Sequence, residues 1–232
     1  FMQHLNNFSS IDLIIGPMYA GKTTELLRKL NILNNMGLRC VYVNSSQDNR
    51  SDKAFSTHNS NITTLGDIDS IIVGPDKLDD IIKYNKDYDV FGIDEAQLFT
   101  KLKNTSLILS EKYNKKIIIA GLSSDSDRNS FGEISMMLPI CEELQKLHSY
   151  CHICSQNRKM TPAHFTYCTV EKSNTVHIGG KDSYIPLCRT CYVDFMNKKE
   201  THQYEMLKNS SSDSSDSSDS FNELSEKLLN EY

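Results

Sequence analysis

The sequence contains no tryptophan and no apolar run that approaches the roughly 18 residues of a membrane-spanning helix. Residues 1–10 have neither a basic start nor an apolar core, so they do not resemble a secretory signal. The net charge is −5, and an acidic chain without tryptophan lacks the basic, aromatic surface typical of nucleic-acid binders. We therefore expect a cytoplasmic protein that binds neither membranes nor nucleic acid.

The cysteines indicate a metal site. Seven are present, an odd number that does not suit a framework of disulfide bonds. Four of them form two Cys-x-x-Cys pairs, Cys151 with Cys154 and Cys188 with Cys191. Such pairs can supply four thiolates in the tetrahedral arrangement that structural Zn²⁺ takes, with no coordination position left open. We predict a structural zinc held by these four cysteines; a redox dithiol is the alternative.

A complete phosphate-binding motif lies near the start of the chain. The octapeptide Gly16-Pro17-Met18-Tyr19-Ala20-Gly21-Lys22-Thr23 matches G-x-x-x-x-G-K-[ST]. In such a P-loop the backbone N–H groups point at phosphate oxygens, the lysine reaches the β and γ phosphates, and the hydroxyl ligates Mg²⁺. An ordinary strand-to-helix turn would not explain Lys22 at the closing position. We predict that residues 16–23 bind ATP, with Lys22 catalytic and Thr23 a Mg²⁺ ligand.

Apolar runs alternate with helical patterns along the first two thirds of the chain. Strands are expected at 11–15, 38–43, 89–93 and 117–122, and residues 71–73 form a strand or begin a helix. Helices are expected at 23–36, 78–84, 105–113 and 133–147, the last kinked at Pro139. This alternation predicts an α/β fold of the P-loop (RecA-like) class, a mostly parallel sheet flanked by helices.

The composition changes at Tyr150, where turn residues and the cysteine pairs begin. We therefore divide the chain into an N-terminal extension (1–10), a P-loop α/β nucleotide-binding domain (11–149), a small zinc-binding lasso domain (150–195) and a C-terminal tail (196–232). The tail contains Ser/Asp repeats at 209–220, which have nothing to bury and are typical of a solvated linker. Phosphorylation of these serines is the alternative interpretation.

Two acidic residues, Asp94 and Glu95, directly follow the strand predicted at 89–93. In P-loop proteins an aspartate at the end of a neighbouring strand holds Mg²⁺, directly or through water. The adjacent glutamate can accept a proton from the attacking group, which is water in an ATPase and a substrate hydroxyl in a kinase. Because the P-loop is complete, we interpret Asp94 as a Mg²⁺ ligand and Glu95 as a general base rather than as a solvated acidic turn.

The motifs together resemble those of the type II thymidine kinases, the cytosolic and poxvirus-like class. The resemblance rests on elements that follow one another from about residue 11 to 195: the P-loop with Thr24-Glu25-Leu26, Asp48-Asn49-Arg50, Thr57-His58, Asp94-Glu95-Ala96-Gln97-Leu98-Phe99, Ala120-Gly121-Leu122, Phe131-Gly132, Leu138-Pro139, Ile178-Gly179-Gly180, Tyr184 and Cys188-Arg189-Thr190-Cys191. It implies an ATP-dependent kinase that phosphorylates the 5′-hydroxyl of thymidine to dTMP, for nucleotide salvage and DNA synthesis. It also implies a homotetramer.

The resemblance assigns roles to individual residues. Glu95 would be the general base, and Arg50 would stabilise charge on the transferring phosphate. Asp48 and Gln97 would join the nucleotide site. The thymidine would lie in a lasso tied by the zinc and held largely by main-chain hydrogen bonds, in a pocket of Met18, Leu98, Leu122, Ser126, Phe131, Thr175, Val176, His177, Ile178, Gly179 and Tyr184.

The chain departs from the family pattern at the base pocket. Ser126 stands where the family usually has an aromatic residue, and Leu98 replaces the first phenylalanine of its motif. These changes predict a looser pocket or a shifted nucleoside preference, with the phosphate machinery intact. Two other functions stay open from the residues alone: a P-loop ATPase with a zinc ribbon that acts on nucleic acid, and a non-catalytic nucleotide-binding regulator.

Overall fold

A six-stranded parallel sheet forms the centre of the chain. The computed structural model describes residues 9–48, 67–170 and 183–198. The strands are β1 (Ser10–Gly16), β2 (Cys40–Ser45), β3 (Asp69–Val73), β4 (Val90–Ile93), β5 (Lys116–Leu122) and β6 (Glu143–Lys146). They lie in the order β3-β2-β4-β5-β1-β6, and each neighbouring pair is parallel. The predicted α/β fold with a mostly parallel sheet is confirmed.

The apolar strands separate two hydrophobic clusters, one on each face of the sheet. Successive side chains of a strand point to opposite faces. In β1, Leu13 and Ile15 therefore belong to one cluster, whereas Ile14 belongs to the other. Strands that are covered on both faces need continuous apolar runs rather than alternation, which is why these segments could be recognised from the sequence.

The helices follow the predicted positions closely in the first half of the chain. Helix α1 (Lys22–Asn35) buries leucines against the second cluster, and Gly37 beyond its end has a φ of 88°, the left-handed conformation that favours glycine. A 3₁₀ helix covers Leu78–Tyr84. Helix α2 (Leu102–Leu107) continues as a π-helical turn at Ile108–Lys112. The ambiguous segment at 71–73 is part of strand β3.

The predicted helix at 133–147 is wrong in its second half. Helix α3 (Ile134–Met137) passes into a 3₁₀ turn at Leu138–Ile140, and the chain then becomes strand β6. Pro139 lacks an N–H group and stops the helix from continuing. Beyond it, the open edge of β1 offers a complete row of backbone partners from Asp12–Glu143 onward, and this pairing outweighs the helical propensity of the segment.

The described residues after 147 form two small antiparallel sheets and two helices. Strand β7 (Ser149–Tyr150) pairs with β8 (Pro162–Ala163), and β9 (Phe165–Cys168) pairs with β10 (Tyr184–Leu187). Helix α4 (His152–Gln156) and helix α5 (residues 189–198) complete this part, which has a hydrophobic cluster of its own. No helix in the described part of the chain is long and apolar enough to cross a membrane.

Several predicted features lie outside the described residues. They are Arg50 with its neighbour Asn49, Thr57-His58, the thymine-binding residues Thr175, Val176, His177, Ile178 and Gly179, most of the N-terminal extension, and the Ser/Asp tail.

Candidate active site

The P-loop turns sharply between β1 and α1. Tyr19 and Gly21 have φ values of 62° and 79°, both left-handed, and Gly21 is the N-terminal cap of α1. A Cβ atom at Gly16 would lie 2.8 Å from the carbonyl oxygen of Leu147, so only glycine fits there. The turn leads into the N-terminus of a 14-residue helix, where orphan N–H groups and the helix dipole favour a bound anion.

The side chain of Lys22 packs against the P-loop. It is almost fully buried, with 8% of its surface exposed, and its Nζ donates to the carbonyl oxygen of Pro17 at 2.9 Å. This contact holds the ammonium group at the loop, the place from which a P-loop lysine reaches phosphate oxygens.

Asp94 lies at the carboxyl end of β4, buried to 1% exposure. Its Oδ2 accepts a hydrogen bond from the Tyr42 hydroxyl at 2.7 Å, and its Oδ1 accepts from the Glu95 N–H at 2.9 Å. The Thr23 side chain lies close enough to this carboxylate to lower its pKa. Burial, and then the charge of Glu95, raise the pKa of Asp94 to about 6. A hydroxyl and a carboxylate brought together beside the P-loop are donors that suit Mg²⁺.

Glu95 is held in a left-handed backbone conformation with φ 46°. Its Oε2 accepts a hydrogen bond from Gln97 Nε2 at 2.6 Å, and Gln97 Oε1 accepts from the backbone N–H of Leu122 at 2.9 Å. Gly132 packs so closely against Gln97 that a Cβ atom added to Gly132 would overlap the Gln97 carbonyl. Gln97 thus connects the Glu95 carboxylate to the end of β5.

Thr166 of β9 contacts the P-loop directly. Its Oγ1 accepts a hydrogen bond from the backbone N–H of Met18 at 3.0 Å, and both residues are buried. The contact fixes the middle of the loop against the part of the chain that carries the cysteines.

The segment after β5 is tied to helix α5 by Tyr192. The Tyr192 hydroxyl donates to the backbone carbonyl of Ser126 at 2.7 Å, and the Arg128 guanidinium lies 4.7 Å from the centre of the Tyr192 ring. Ser126 is buried, whereas Leu122 and Phe131 at the two ends of this segment are half-buried.

Three further predicted residues lie in the turn after Glu95, after β2 and in the hairpin of β9 and β10. Leu98, half-buried, closes the short 3₁₀ turn that follows Glu95. Asp48 follows β2, and its Oδ2 accepts from Asn44 Nδ2 at 3.1 Å. Tyr184 lies opposite Cys168 in the hairpin, and burial together with Cys168 raises the pKa of Tyr184 to about 12.

The four paired cysteines converge. Their sulfur atoms all lie within 4.8 Å of one another, with Cys154 Sγ 3.9 Å from Cys188 Sγ and 3.8 Å from Cys191 Sγ. A tetrahedron with zinc–sulfur bonds of about 2.3 Å has edges of about 3.8 Å. The residues therefore fit a zinc ion. All seven cysteines are free of disulfide bonds.

Comparison with known proteins identifies the family. The sequence model of the family described as thymidine kinase matches residues 9–192. The thymidine kinase of Amsacta moorei entomopoxvirus is 38% identical over 187 residues, which cover 79% of this chain and 97% of that protein. The thymidine kinase of Oryza sativa subsp. japonica is 35% identical over 186 residues, covering 79% and 66%. That of Vaccinia virus (strain Western Reserve) is 32% identical over 188 residues, covering 81% and 99%.

The chain belongs to the thymidine kinase family. The resemblance inferred from the motifs is confirmed. Among solved structures, domain III of the Thermotoga maritima replication initiation protein DnaA matches with a TM-score of 0.32 at 17% identity, over 62% of this chain and 56% of that chain. That likeness is too slight to bear on fold or function.

The motifs of the thymidine kinase family meet at one edge of the sheet. Lys22 and Thr23 begin helix α1, after the loop that follows β1, and Asp94 and Glu95 follow β4. The carboxyl ends of β1 and β4 reach the same side because the strands are parallel. Three residues with contacts in this region were not singled out by the sequence, namely Tyr42, Thr166 and Tyr192. Each is a single residue within an ordinary strand or helix, so no spacing or motif marks it.

Proposed function

We propose that this member of the thymidine kinase family transfers the γ-phosphate of ATP to the 5′-hydroxyl of thymidine, giving dTMP and ADP. The observation that carries the proposal is the meeting of Lys22, Asp94 and Glu95 at the P-loop: a cation for the phosphates, a metal ligand and a proton acceptor. Relatives that share up to 38% of their residues with this chain are named thymidine kinases, which supports thymidine as the acceptor.

The nucleotide site is proposed to consist of the P-loop, Asp48, Arg50, Asp94 and Gln97. Lys22 would neutralise charge on the β and γ phosphates, and Arg50 would stabilise the charge of the transferring phosphate. Thr23 and Asp94 would hold Mg²⁺, which would supply positive charge to the phosphates. The closeness of these two side chains supports their assignment as one metal site.

Glu95 is proposed to remove the proton from the 5′-hydroxyl as the oxygen attacks phosphorus. A base must hold its carboxylate within hydrogen-bond reach of that proton. The bond from Gln97 to Oε2 restrains the carboxylate, and the bond from Leu122 N–H restrains Gln97 in turn. Gln97 would therefore hold the Glu95 carboxylate in place and would also lie beside the nucleotide.

The thymidine pocket is proposed to be formed by Met18, Leu98, Leu122, Ser126, Phe131, Thr175, Val176, His177, Ile178, Gly179 and Tyr184. The anchoring of Met18 by Thr166 and of Ser126 by Tyr192 supports this assignment, because it ties both sides of the pocket to the zinc-binding part of the chain. The structural zinc held by the four cysteines would stabilise that part.

We also propose a cytoplasmic homotetramer, divided into domains near residue 150. A separate hydrophobic cluster among residues 151–196 supports the division. Exposed apolar side chains support association: Leu144 on the edge strand β6 is 50% exposed, and Met36 after α1 is 72% exposed. Light scattering after size exclusion measures the mass directly, and a monomer at micromolar concentration would contradict the tetramer.

The test of the function is a kinase assay with a panel of nucleosides. We expect dTMP to form from thymidine and ATP, and Glu95→Gln to abolish turnover while ATP binding persists. Consumption of ATP at the same rate without a nucleoside, especially if stimulated by DNA, would instead support a nucleic-acid-dependent ATPase. The panel also measures whether Ser126 and Leu98 admit deoxyuridine.

A further inference from the structure

Tyr42 contributes a buried hydroxyl group to the edge of the phosphate site. The residue lies in β2, its backbone paired with Gly92 of the neighbouring β4, two residues before Asp94. Tyr42 is fully buried, and its hydroxyl lies 2.7 Å from Asp94 Oδ2. This is a short hydrogen bond between a phenol and a carboxylate in the interior, where such bonds are stronger than in water.

The two oxygens of Asp94 are held by two different donors. The Tyr42 hydroxyl binds Oδ2, and the Glu95 N–H binds Oδ1 at 2.9 Å. Because each oxygen has its own donor, the carboxylate cannot rotate about its Cβ–Cγ bond without breaking one of these bonds. Loss of the phenol oxygen would leave Oδ2 without that restraint.

Packing alone does not require a tyrosine at this position. The ring belongs to the apolar cluster that includes Ile14, Leu26, Val90 and Ala120, where a phenylalanine would fill the same space. A hydroxyl in such surroundings is costly unless it is hydrogen-bonded. A phenol is protonated at neutral pH, so the Tyr42 hydroxyl is available as a donor.

We propose that Tyr42 is a positioning residue, which orients the Asp94 carboxylate for the Mg²⁺ that accompanies ATP. The inference rests on the proposed function, since it takes Asp94 as the metal ligand. Tyr42 itself would contact neither the metal nor the nucleotide. Its effect should therefore appear in the magnesium dependence of nucleotide binding rather than in nucleotide binding as such.

The experiment measures equilibrium binding of ATP by calorimetry, without thymidine, once with excess Mg²⁺ and once with EDTA. We expect Mg²⁺ to tighten binding to the wild type. In Tyr42→Phe this gain should shrink about tenfold, the size of one hydrogen bond to a charged group. The affinity in EDTA should remain that of the wild type.

Tyr88→Phe is the matched control. The Tyr88 hydroxyl also donates to an aspartate, Asp69 Oδ2, at 2.9 Å. This pair lies where β3 and β4 begin, whereas the P-loop lies at the end of the sheet where the parallel strands finish. Removal of the Tyr88 hydroxyl should leave both affinities unchanged. If Mg²⁺ increases the ATP affinity of Tyr42→Phe as much as that of the wild type, the inference is overturned. An equal loss of ATP affinity with and without Mg²⁺ would also overturn it, because it would indicate a purely structural role.

A double-mutant cycle covers the case in which Tyr42→Phe is unstable. Removing both partners of a buried hydrogen bond is milder than removing one, so Asp94→Ala, which removes both carboxylate oxygens, and Asp94→Ala/Tyr42→Phe are compared as well. We expect the same magnesium dependence in both, because Tyr42 acts through Asp94. A further loss in the double variant would overturn the inference. An absent magnesium gain in the wild type would instead remove the proposed metal site, and the inference with it.

Discussion

The side-chain nitrogen of Gln97 lies 2.6 Å from Oε2 of Glu95, while the Gln97 side-chain oxygen accepts from Leu122 N–H. The amide therefore restrains the proposed base from one side and is itself fixed on the other. Glu95 has a left-handed backbone and caps the short 3₁₀ turn Ala96–Leu98, which carries Gln97.

Replacement of Gln97 by methionine should lower kcat. The variant keeps the length of the side chain but removes both hydrogen bonds, so the Glu95 carboxylate loses its orientation. We expect a fall of about 10- to 100-fold, the range typical of a misplaced catalytic group. Steady-state kinetics with thymidine and ATP measure it. Gln156→Met, at an exposed position of α4, is the control and should behave as the wild type; an unchanged kcat in Gln97→Met would refute the restraint.

Gly132→Ala should destabilise the fold strongly. Gly132 has a φ of 55°, and an added Cβ atom would overlap the carbonyl of Gln97. The left-handed conformation alone costs an alanine roughly 1–2 kcal/mol, and the overlap adds to it. Gly37→Ala is the matched control, because its φ is 88° but nothing lies within 4 Å. Urea unfolding should therefore show a clearly larger loss for Gly132→Ala, and equal losses would contradict the close packing.

The motif-bearing elements could be predicted from sequence because their signals are local. The P-loop, the acidic pair after β4 and the cysteine pairs each occupy adjacent or closely spaced residues. Strand β6 could not be predicted from sequence, because its conformation depends on pairing with β1, which is distant in the chain. The contacts of Tyr42 and Thr166 could not be predicted for the same reason. Each residue binds a partner more than 50 residues away, and no spacing in the sequence indicates such a contact.

Asp89 should make stability depend on pH in the acidic range. Hydrogen bonds from Arg39, at 2.9 Å between Arg39 Nη2 and Asp89 Oδ1, lower the pKa of Asp89. Its pKa in the folded chain is therefore below the unfolded value of about 3.9. The stabilisation is fully present above that value and is lost as the pH falls through the folded pKa. Asp89→Asn should be less stable than the wild type at pH 7, and the difference should shrink as the pH falls below about 3.9. A difference that persists at low pH would exclude this cause.

Removal of one cysteine of the cluster should release the metal. Cys154→Ser breaks the set of four sulfur atoms, and the third hydrophobic cluster is built around these residues. We expect one zinc per chain in the wild type and none in the variant, with a lower melting temperature. Cys141→Ser is the control, since this cysteine lies outside the cluster. Metal analysis by mass spectrometry and thermal unfolding give the answer; zinc retained in Cys154→Ser would argue against the four-sulfur site.

Tyr192→Phe should weaken thymidine binding while leaving ATP binding intact. The Tyr192 hydroxyl donates to the Ser126 carbonyl at 2.7 Å, so its loss frees the segment proposed to border the base. One buried neutral hydrogen bond contributes about 1 kcal/mol, which corresponds to a rise of about fivefold in KM for thymidine. The KM for ATP should not change, because the P-loop is anchored separately through Thr166. Tyr150→Phe, on an exposed tyrosine of β7, serves as the control. A rise in both KM values would mean that Tyr192 supports the fold as a whole rather than the nucleoside pocket.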